Sequence, residues 1–389
     1  MNKFIFGEAM DYVKLGDLCV INSGGTPRRN NESYWKNGDI PWVKIGDLNN
    51  GIVESTEEFI TLDGLKNSSA KIFPSGTLLY TIFATIGEVA ILNIDAATNQ
   101  AIVGLQLKEN QKVYLKYIYY YLKSQTNIIK QLGRGVAQNN INLSVVKDMI
   151  IHIVSLEKQS NIIATLSKLE KIKENRIIIL NYLDGLIKSR FDEVFNLPLV
   201  NTPLSKYIKE LKSGKSLAGE SYNINKVLKT GAVSFDYFNN KEVKNLPIAY
   251  TPLENHRVNV GDVIISRMNT AELVGAAGYV WSVDDNVYLP DRLWNAILDE
   301  NINPIFVWQL LIHKKTKIQI QRIATGTSGS MKNISKQKFL DIKVPWVPIN
   351  TQNELSNLVC QINKLKSDVQ KSIDETQLLM DSLMQEYFG

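Results

Sequence analysis

Several features that mark secreted, membrane or metal-binding proteins are scarce in this chain of 389 residues. Its two cysteines, Cys19 and Cys360, lie in unlike contexts and give neither a disulfide framework nor a metal-ligand spacing. No N-terminal run combines basic residues, an apolar core and a cleavage site, and no uncharged apolar stretch reaches the ~18 residues of a membrane span. These absences predict a soluble, cytoplasmic protein in a reducing compartment.

Catalytic patterns are missing as well. The three histidines, His152, His256 and His313, have no Cys, Asp or Glu at metal-ligand spacing and no neighbouring nucleophile. The stretch "SGKS" (213–216) resembles the end of a phosphate-binding loop, but the first glycine of such a loop would fall at Lys209. No GxGxxG loop follows a strand, and no Asn-Pro-Pro-aromatic tetrad of an adenine methyltransferase is present. We therefore expect no catalytic group, metal or cofactor in this chain.

One enzymatic alternative stays open. Glu242 and Lys244 have the acidic-x-Lys spacing of many metal-dependent nucleases, and Asp236 is the only acidic residue shortly upstream. Because this triplet recurs by chance in many sequences, a nuclease is the weaker hypothesis.

Composition describes an ordinary globular protein. The length accommodates two or three domains, and a hydrophobic fraction of 44% excludes wholesale disorder. The net charge of +5 allows an anionic partner such as nucleic acid, but many proteins that bind no DNA are as basic. Charge alone therefore decides little.

The most informative feature is a segment that occurs twice. "GRGVAQNNINLSVVKDMI" begins at Gly133 and "GTSGSMKNISKQKFLDIK" begins at Gly326, at an offset of 193 residues (326 − 133) that holds as far as Phe195 and Phe388. The other matched pairs are Asn140/Asn333, Ile141/Ile334, Asp148/Asp341, Gln159/Gln352, Lys171/Lys364, Lys173/Lys366, Leu186/Leu379, Ser189/Ser382 and Glu193/Glu386. No insertion interrupts this stretch, as expected of a rigid segment whose length is required.

Upstream of the repeat the matching frame changes. Gly76 in "PSGTLL" best matches Gly261 in "NVGDVI", an offset of 185 residues (261 − 76). Each half of the chain therefore has an N-terminal part that varies, which we call its front, and a C-terminal part of constant length, which we call its back.

Each fixed back is predicted to form a long helix. From Ser155 to about Phe191 there is no proline and one glycine, Gly185, and apolar residues recur at three- and four-residue steps. The recurring apolar residues are Ile162, Leu166, Leu169, Ile172, Ile179, Leu183 and Leu186 in the first copy, and Leu358, Ile362, Leu365, Val369, Leu379 and Leu383 in the second. This is a narrow heptad seam on helices roughly 50 Å long. Each could be a core helix of a globular domain, but two copies of equal length favour packing against each other.

The fronts are predicted to be mixed α/β domains. They are rich in Gly, Asn and aromatic residues and contain short β-like runs such as "GTLLYTIFATIGEVAIL" and "GDVIISRM". Each ends in a helical segment, near Leu115–Gln131 or Phe306–Arg322. Pro198 and Pro203 in "NLPLVNTP" cannot continue a helix and indicate a linker.

The predicted fold class is therefore α+β: two mixed α/β domains joined by two long helices packed as an antiparallel coiled coil, with a pseudo-two-fold axis. The predicted boundaries are 1–154 and 197–347 for the two α/β domains, 155–196 for the central helix with its linker, and 348–389 for the distal helix.

Such an arrangement suits duplex DNA, which is itself a roughly two-fold rod. Arginine can bind guanine through two hydrogen bonds, and Asn or Gln can bind adenine in the same way. In the first half the candidate contacts are Arg28, Arg29, Lys36, Lys44, Gln100, Arg134, Gln138 and Asn139. In the second half they are Lys212, Lys215, Arg267, Asn269, Arg292, Lys332 and Asn333. Trp35 and Trp42 are more readily explained as core anchors than as stacking platforms. Each candidate taken singly is also explained as a solvated loop side chain, and an interaction scaffold without DNA specificity is the second alternative.

The whole chain resembles a type I restriction-modification specificity subunit. The resemblance rests on "SGGTPRRNNESYWKNGDIPWVKIGDL" in the first front, on the paired "GRGVAQNNINLSVVKDMIIHIVSLEKQ" and "GTSGSMKNISKQKFLDIKVPWVPINTQNEL", and on the long helix after each. It implies that the two fronts are target-recognition domains, each recognising one half of a bipartite DNA site. It also implies that the two helices form an antiparallel coiled coil that sets the distance between them.

The resemblance further implies a subunit that is not itself an enzyme. Its partners would be two adenine methyltransferase subunits that use S-adenosylmethionine, and restriction subunits that use ATP and Mg²⁺. The first front contains the Gly-Gly-Thr-Pro loop and the second lacks it, so base-contacting positions cannot be transferred from one half to the other.

Overall fold

The structure is a computed structural model that describes residues 11–48, 51–134, 141–326 and 331–389, with the backbone alone at residue 11 and at 127–134. The chain divides into two compact units. Unit 1 comprises residues 1–176 and 371–389, and unit 2 comprises residues 177–370. The finer division predicted from the sequence stays a prediction.

Unit 1 contains two larger sheets. Its main sheet has the strand order Cys19–Ser23, Ile102–Leu107, Leu78–Thr81, Val89–Leu92, Ile52–Val53. Its second sheet has the order Glu58–Ile60, Ile40–Val43, Ala96–Thr98, Ile72–Phe73, and a further pair joins Asp11–Lys14 to Ile150–Ile153. The helices before the long helix of this unit are Leu15–Leu18, Leu62–Lys66, Leu115–Arg134 and Leu143–Asp148. The main sheet and helix Leu115–Arg134 enclose the largest apolar core of this unit.

Unit 2 has the same kind of organisation. Its main sheet has the strand order Ile208–Lys212, Leu293–Leu298, Val263–Ser266, Ala277–Tyr279. In a three-stranded sheet, Lys226–Leu228 pairs with both Val243–Asn245 and Val287–Tyr288. Two further pairs join Asn201–Pro203 to Lys343–Pro345 and Met268–Asn269 to Lys332–Asn333. The helices that follow the main sheet are Pro304–Ile312, Lys314–Ile323 and Lys336–Leu340.

The two main sheets share one topology although their sequences differ. In each unit the first strand pairs antiparallel with the last strand in the chain, which then pairs antiparallel with Leu78–Thr81 in unit 1 or with Val263–Ser266 in unit 2. Unit 1 has one more strand, Ile52–Val53, at the far edge of its sheet. The central strands Ile102–Leu107 and Leu293–Leu298 are both buried over their first four residues. Gly76 and Gly261 both adopt positive φ, 87° and 98°, in the turns before Leu78–Thr81 and Val263–Ser266, a conformation that favours glycine. The match predicted between these glycines is therefore confirmed.

The repeated segments dock onto the sheets in the same way. The backbone N–H of Ile141 donates to the carbonyl of Ile82 at 3.0 Å, and that of Ile334 donates to the carbonyl of Arg267 at 3.0 Å. The next residue then caps a short helix in both units, because the side chains of Asn142 and Ser335 accept from the backbone N–H three residues on.

A buried glutamine fixes the start of each long helix. Gln159 and Gln352 are both 0% exposed. Gln159 Nε2 donates to the carbonyl of Val154 at 2.8 Å, and its Oε1 accepts from the backbone N–H of Tyr114 at 3.0 Å. Gln352 donates to Val347 at 2.7 Å and accepts from Asn303 at 3.0 Å. Each glutamine thus joins the long helix to the segment before it and to the start of its unit's core helix.

The long helices span Leu156–Asn196 and Ile349–Phe388, which makes each about 60 Å long at ~1.5 Å per residue. We call them the first and second long helix. In unit 1, Lys173 Nζ donates to Gln377 Oε1 at 2.6 Å, and Leu166 packs in one core with Met380 and Met384. The beginning of the first helix therefore packs against the end of the second.

The same antiparallel sense appears within unit 2. Lys366 Nζ lies 2.5 Å from Asp184 Oδ1, and Phe191 shares a core with Leu355 and Val359. The prediction of antiparallel packing is confirmed inside each unit. The two-fold arrangement of the whole chain stays a prediction.

Two details of the predicted helices are wrong. Four residues of the predicted seam are exposed, namely Ile179, Leu186, Leu365 and Leu379. Ile187 and Met380, which follow Leu186 and Leu379, are buried instead. Adjacent apolar residues make the phase of a seam ambiguous by one position, and the heptad pattern selected the wrong member of each pair. The single helix predicted over Phe306–Arg322 is broken at His313, whose Nδ1 accepts from the backbone N–H of Lys315 at 3.3 Å and so caps a second helix.

Among the described residues, no helix combines the length and the apolar character needed to cross a membrane.

Replacing Gln352 by Leu should destabilise the chain. Leucine has a similar volume but leaves the N–H of Asn303 and the carbonyl of Val347 buried without partners, at a cost of about 1–3 kcal/mol for each group. Urea unfolding of the full chain measures the free energy of unfolding. Gln361→Leu, at an exposed position on the same helix, is the matched control, and an equal loss there would contradict the role of the buried amide.

Candidate nucleic-acid interface

In unit 1 the glycine-rich loop leaves the end of the first main-sheet strand and is held close to the second sheet. The N–H of Gly24 donates to the carbonyl of Ile102 at 3.0 Å, and the N–H of Gly25 donates to that of Thr98 at 2.8 Å. A Cβ on Gly24 would lie 2.4 Å from the carbonyl oxygen of Asn99, which is too close for any side chain. Close approach of two backbones therefore explains the glycine pair and fixes where the following arginines emerge.

The Arg29 side chain is held by two tryptophans and a glutamate. Its guanidinium carbon lies 3.8 Å from the ring centre of Trp35 and 4.6 Å from that of Trp42, and its Nη1 binds Glu58. Trp42 is 2% exposed and donates to the carbonyl of Gly25 at 3.0 Å, and Trp35 donates to that of Arg28 at 3.2 Å. The tryptophans act as anchors of the loop.

Glu58 also binds a second candidate, Lys44. Lys44 Nζ lies 2.7 Å from Glu57 and 3.4 Å from Glu58. The hydrogen bond from Arg29 lowers the pKa of Glu58, and the hydrogen bond to Glu57 raises the pKa of Lys44. Both candidate cations are therefore partly neutralised within unit 1. Nothing in the sequence indicated this pair of carboxylates, because it requires the antiparallel pairing that places Glu58 opposite Trp42.

The remaining candidates of unit 1 differ in their surroundings. Arg28 and Lys36 are exposed, and neither contacts a carboxylate within the described ranges. Gln100 accepts a hydrogen bond from the Thr26 hydroxyl through Oε1, which leaves its amide N–H groups available. Arg134 ends a helix but its side chain lies outside the described residues, as do Gln138 and Asn139 entirely.

In unit 2 the loop after strand Ile208–Lys212 lies at the corresponding edge of the main sheet. The N–H of Gly214 donates to the carbonyl of Pro290 at 3.0 Å, and the hydroxyl of Ser216 binds Asp291. These bonds leave Lys215 exposed, while Lys212 lies 4.0 Å from Glu210. The "SGKS" stretch thus lies in a loop that does not lead directly into a helix, as a phosphate-binding loop does.

Five further candidates of unit 2 lie together beside this edge. Asn269 pairs with Lys332, and Met268 pairs with Asn333, in a short two-stranded ribbon. The N–H of Arg267 donates to the carbonyl of Arg292 at 3.1 Å, which places Arg292 next to the ribbon. The structure thus brings together residues that are up to 66 positions apart in sequence (333 − 267).

Their side chains have few competing partners. The guanidinium carbon of Arg267 lies 5.8 Å from the ring centre of Trp294, and its Nε is buried without a hydrogen-bond partner among the described residues. Asn269 Oδ1 accepts from the N–H of Thr270 at 2.9 Å, and Lys332 Nζ donates to the carbonyl of Gly326 at 2.7 Å. Arg292 is exposed.

The acidic residues of the nuclease alternative lie beside lysines other than Lys244. The carboxylate of Asp236 binds Lys317 Nζ at 2.8 Å, whereas Glu242 lies 3.8 Å from Lys229. Over the part of the chain that the structure describes, no three His, Cys, Asp or Glu side chains are grouped so as to hold a metal ion.

Comparison with known proteins finds a family model that matches the first part of the chain. Residues 7–181 match the family model "Type I restriction modification DNA specificity domain". The MjaIX type I restriction enzyme specificity subunit of Methanocaldococcus jannaschii is 33% identical over 171 residues, which are 43% of this chain and 39% of that protein. The chain thus matches about two fifths of the length of this relative.

Solved structures extend the similarity of fold over the whole chain. The type I restriction-modification S subunit of M. genitalium has 16% identity and a TM-score of 0.55, covering 99% of this chain and 98% of that one. A chain from a structure on complex assembly and conformational transition of the type I R-M system has 15% identity and a TM-score of 0.63, with 99% of each chain covered. Together these findings show that residues 7–181 resemble a type I restriction modification DNA specificity domain and that the whole chain has the fold of the solved S subunits.

Proposed function

We propose that this chain is the DNA-recognition subunit of a type I restriction-modification complex and that it recognises a bipartite site. The observation that carries the proposal is the repeated main sheet. Four strands have the same order in both units, yet the corresponding edges present unlike groups: a Gly-Gly loop with Arg28 and Arg29 in unit 1, and a lysine loop with the Arg267 ribbon in unit 2. One scaffold with two different polar edges suits a ligand with two different halves.

The proposed recognition domains are residues 1–154 and 197–347. Exposed cations such as Arg28, Lys36 and Lys215 suit phosphates, which fix position without selecting sequence. Side chains that already contact other residues of the chain, such as Arg29, Arg267 and Asn269, suit base edges. A side chain that is already oriented loses less entropy on binding. The length of the two long helices would set the gap between the half-sites.

We further propose that the chain contains no catalytic group. Two adenine methyltransferase subunits would supply S-adenosylmethionine chemistry, and restriction subunits would supply ATP- and Mg²⁺-dependent cleavage, in the cytoplasm. An interaction scaffold without DNA specificity remains the second candidate, because the two long helices support partner binding in either case.

The direct test compares three samples on one plasmid library with labelled S-adenosylmethionine: this chain alone, its methyltransferase alone, and both together. Sequence-selective methylation only in the mixture supports the proposal. Methylation or cleavage by the isolated chain would refute it, and a soluble assembled complex without DNA selectivity would favour the scaffold.

Removing Glu58 should strengthen unspecific DNA binding. Glu58→Gln releases Arg29 from its carboxylate, while Lys44 keeps Glu57 as its nearer partner, so the slope of log affinity against log salt should steepen by about 0.9, the value for one phosphate neutralised. Titration of a random duplex at several salt concentrations measures the slope. Glu54→Gln removes the same charge from an exposed position in the same segment, and an equal change there would contradict the prediction.

Replacing Arg28 and Arg29 by Ala should affect one half-site only. A lost base contact should cost about 1–3 kcal/mol and relax one position, whereas a lost phosphate contact should lower affinity for all sequences and flatten the salt slope. Binding to duplexes altered in either half separates these outcomes. Loss of both half-sites would mean that the arginines support folding instead.

Lengthening the first long helix should change the gap. Four residues inserted after Lys173 add about 6 Å of helix, at ~1.5 Å per residue. Selection of preferred sites by the assembled complex should then return the same half-sequences at a longer gap, or no activity. An unchanged gap with full activity would show that the helices do not set the spacing.

A further inference from the structure

Unit 2 contains a cavity of about 1010 Å³ between its long-helix segments and its recognition domain. Phe191 and Asn363 of the two long helices line one side, and Trp308 of helix Pro304–Ile312 lines another. Phe235 and Trp281 line the cavity from two loops. It is thus built from both the repeated and the variable parts of the unit.

The corresponding place in unit 1 is filled by the chain's own charges. Tyr114 and Asn303 are equivalent positions, because the backbone N–H of each donates to the buried glutamine of its unit. Their offset of 189 residues (303 − 114), applied along the core helix, makes Ile312 the counterpart of Lys123. The repeat matches Glu170 with Asn363. In unit 1, Lys123 Nζ lies 2.8 Å from Glu170, and the Tyr120 hydroxyl donates to the same carboxylate at 2.6 Å.

Unit 2 lacks both members of that ion pair. Ile312 replaces the lysine and Asn363 replaces the glutamate. The Nδ2 of Asn363 is buried and donates to no acceptor among the residues the structure describes. A buried amide donor without an acceptor costs free energy, so this position favours a ligand that brings an acceptor.

The mouth of the cavity is aromatic and basic. Phe235, Tyr237 and Trp281 are 73%, 51% and 41% exposed, which is unusual for a group of large rings and typical of a protein interface. Lys188, Lys314 and Lys364 line the cavity and are exposed, and none of them pairs with a carboxylate in the described ranges.

Most of the acidic charge near the cavity is already neutralised. Of the lining carboxylates, Asp184 binds Lys366 and Asp236 binds Lys317. The surplus charge is therefore positive, and an occupant with an acidic group is complementary to it.

We propose that this cavity binds a segment of the methyltransferase subunit in which an aromatic or long aliphatic side chain stands beside an Asp or Glu. The apolar side chain would fill the space between Phe191 and Trp308, and the carboxylate would accept from Asn363 and face the lysines. Duplex DNA is a poorer occupant, because its bases cannot enter such a cavity without leaving the stack.

The proposal rests on the proposed function and adds an asymmetry to it. Since unit 1 has the Lys123–Glu170 pair in the equivalent place, only one of two bound methyltransferase subunits gains this contact. The two binding steps should therefore differ in affinity.

The test titrates the full chain with its purified methyltransferase subunit and follows both binding steps by calorimetry and native mass spectrometry. Lys364→Glu and the double variant Phe235→Ser, Trp281→Ser alter exposed side chains and should weaken one step at least tenfold while the other is kept. Lys171→Glu changes the lysine that the repeat matches with Lys364 and is the control, which should leave both steps unchanged.

Two unchanged steps in both cavity variants would overturn the inference while leaving the proposed function intact. Weaker binding of the free chain to duplex DNA, with both steps unchanged, would overturn it in favour of a nucleic-acid surface. A wild-type chain that binds no methyltransferase would refute the proposed function and this inference with it.

Discussion

The buried glutamine at the start of each long helix is the interaction on which the rest of each unit depends. An amide has both a donor and an acceptor, so Gln159 and Gln352 can each satisfy a carbonyl from the preceding segment and an N–H at the start of the core helix. A hydrocarbon side chain would leave both groups buried and unpaired. This requirement ties the long helix, the strand or extended segment before it and the core helix into one body. The offset of 193 residues is kept by the glutamines and the segments directly before them, whereas the core-helix starts Tyr114 and Asn303 are related by an offset of 189 (303 − 114).

A fixed body leaves the opposite edge of each main sheet free to vary. In unit 1 that edge holds Arg29 against Trp35 with Glu58 as its partner, and in unit 2 it holds the ribbon of Asn269 and Lys332 beside Arg267. None of these contacts takes part in the glutamine-centred body. Side chains at the edge can therefore change without disturbing the packing, which is the property that a recognition surface for different sequences needs.

The repeat, the long helices and the paired glycines could be predicted because they depend on residues close in sequence or on a constant offset. The common sheet topology could not, since strands such as Ile102–Leu107 and Leu293–Leu298 share a burial pattern rather than residues. The prediction of which apolar residue of the long helix is buried was wrong where two apolar residues are adjacent, as at Leu186 and Ile187. Most candidate residues of unit 2 lie beside one edge, and their contact with DNA stays a prediction. The carboxylates that bind Arg29 and Lys44 were missed because strand pairing alone brings them close.

The central claim is that two copies of one scaffold recognise two different half-sequences at a fixed separation. Its most direct measurement is a genome-wide map of adenine methylation in a methylation-free host that expresses this chain with and without its methyltransferase. The account predicts a two-part motif with unlike halves and one constant gap, present only when both proteins are expressed. A continuous motif, a variable gap or a motif that persists without this chain would contradict it.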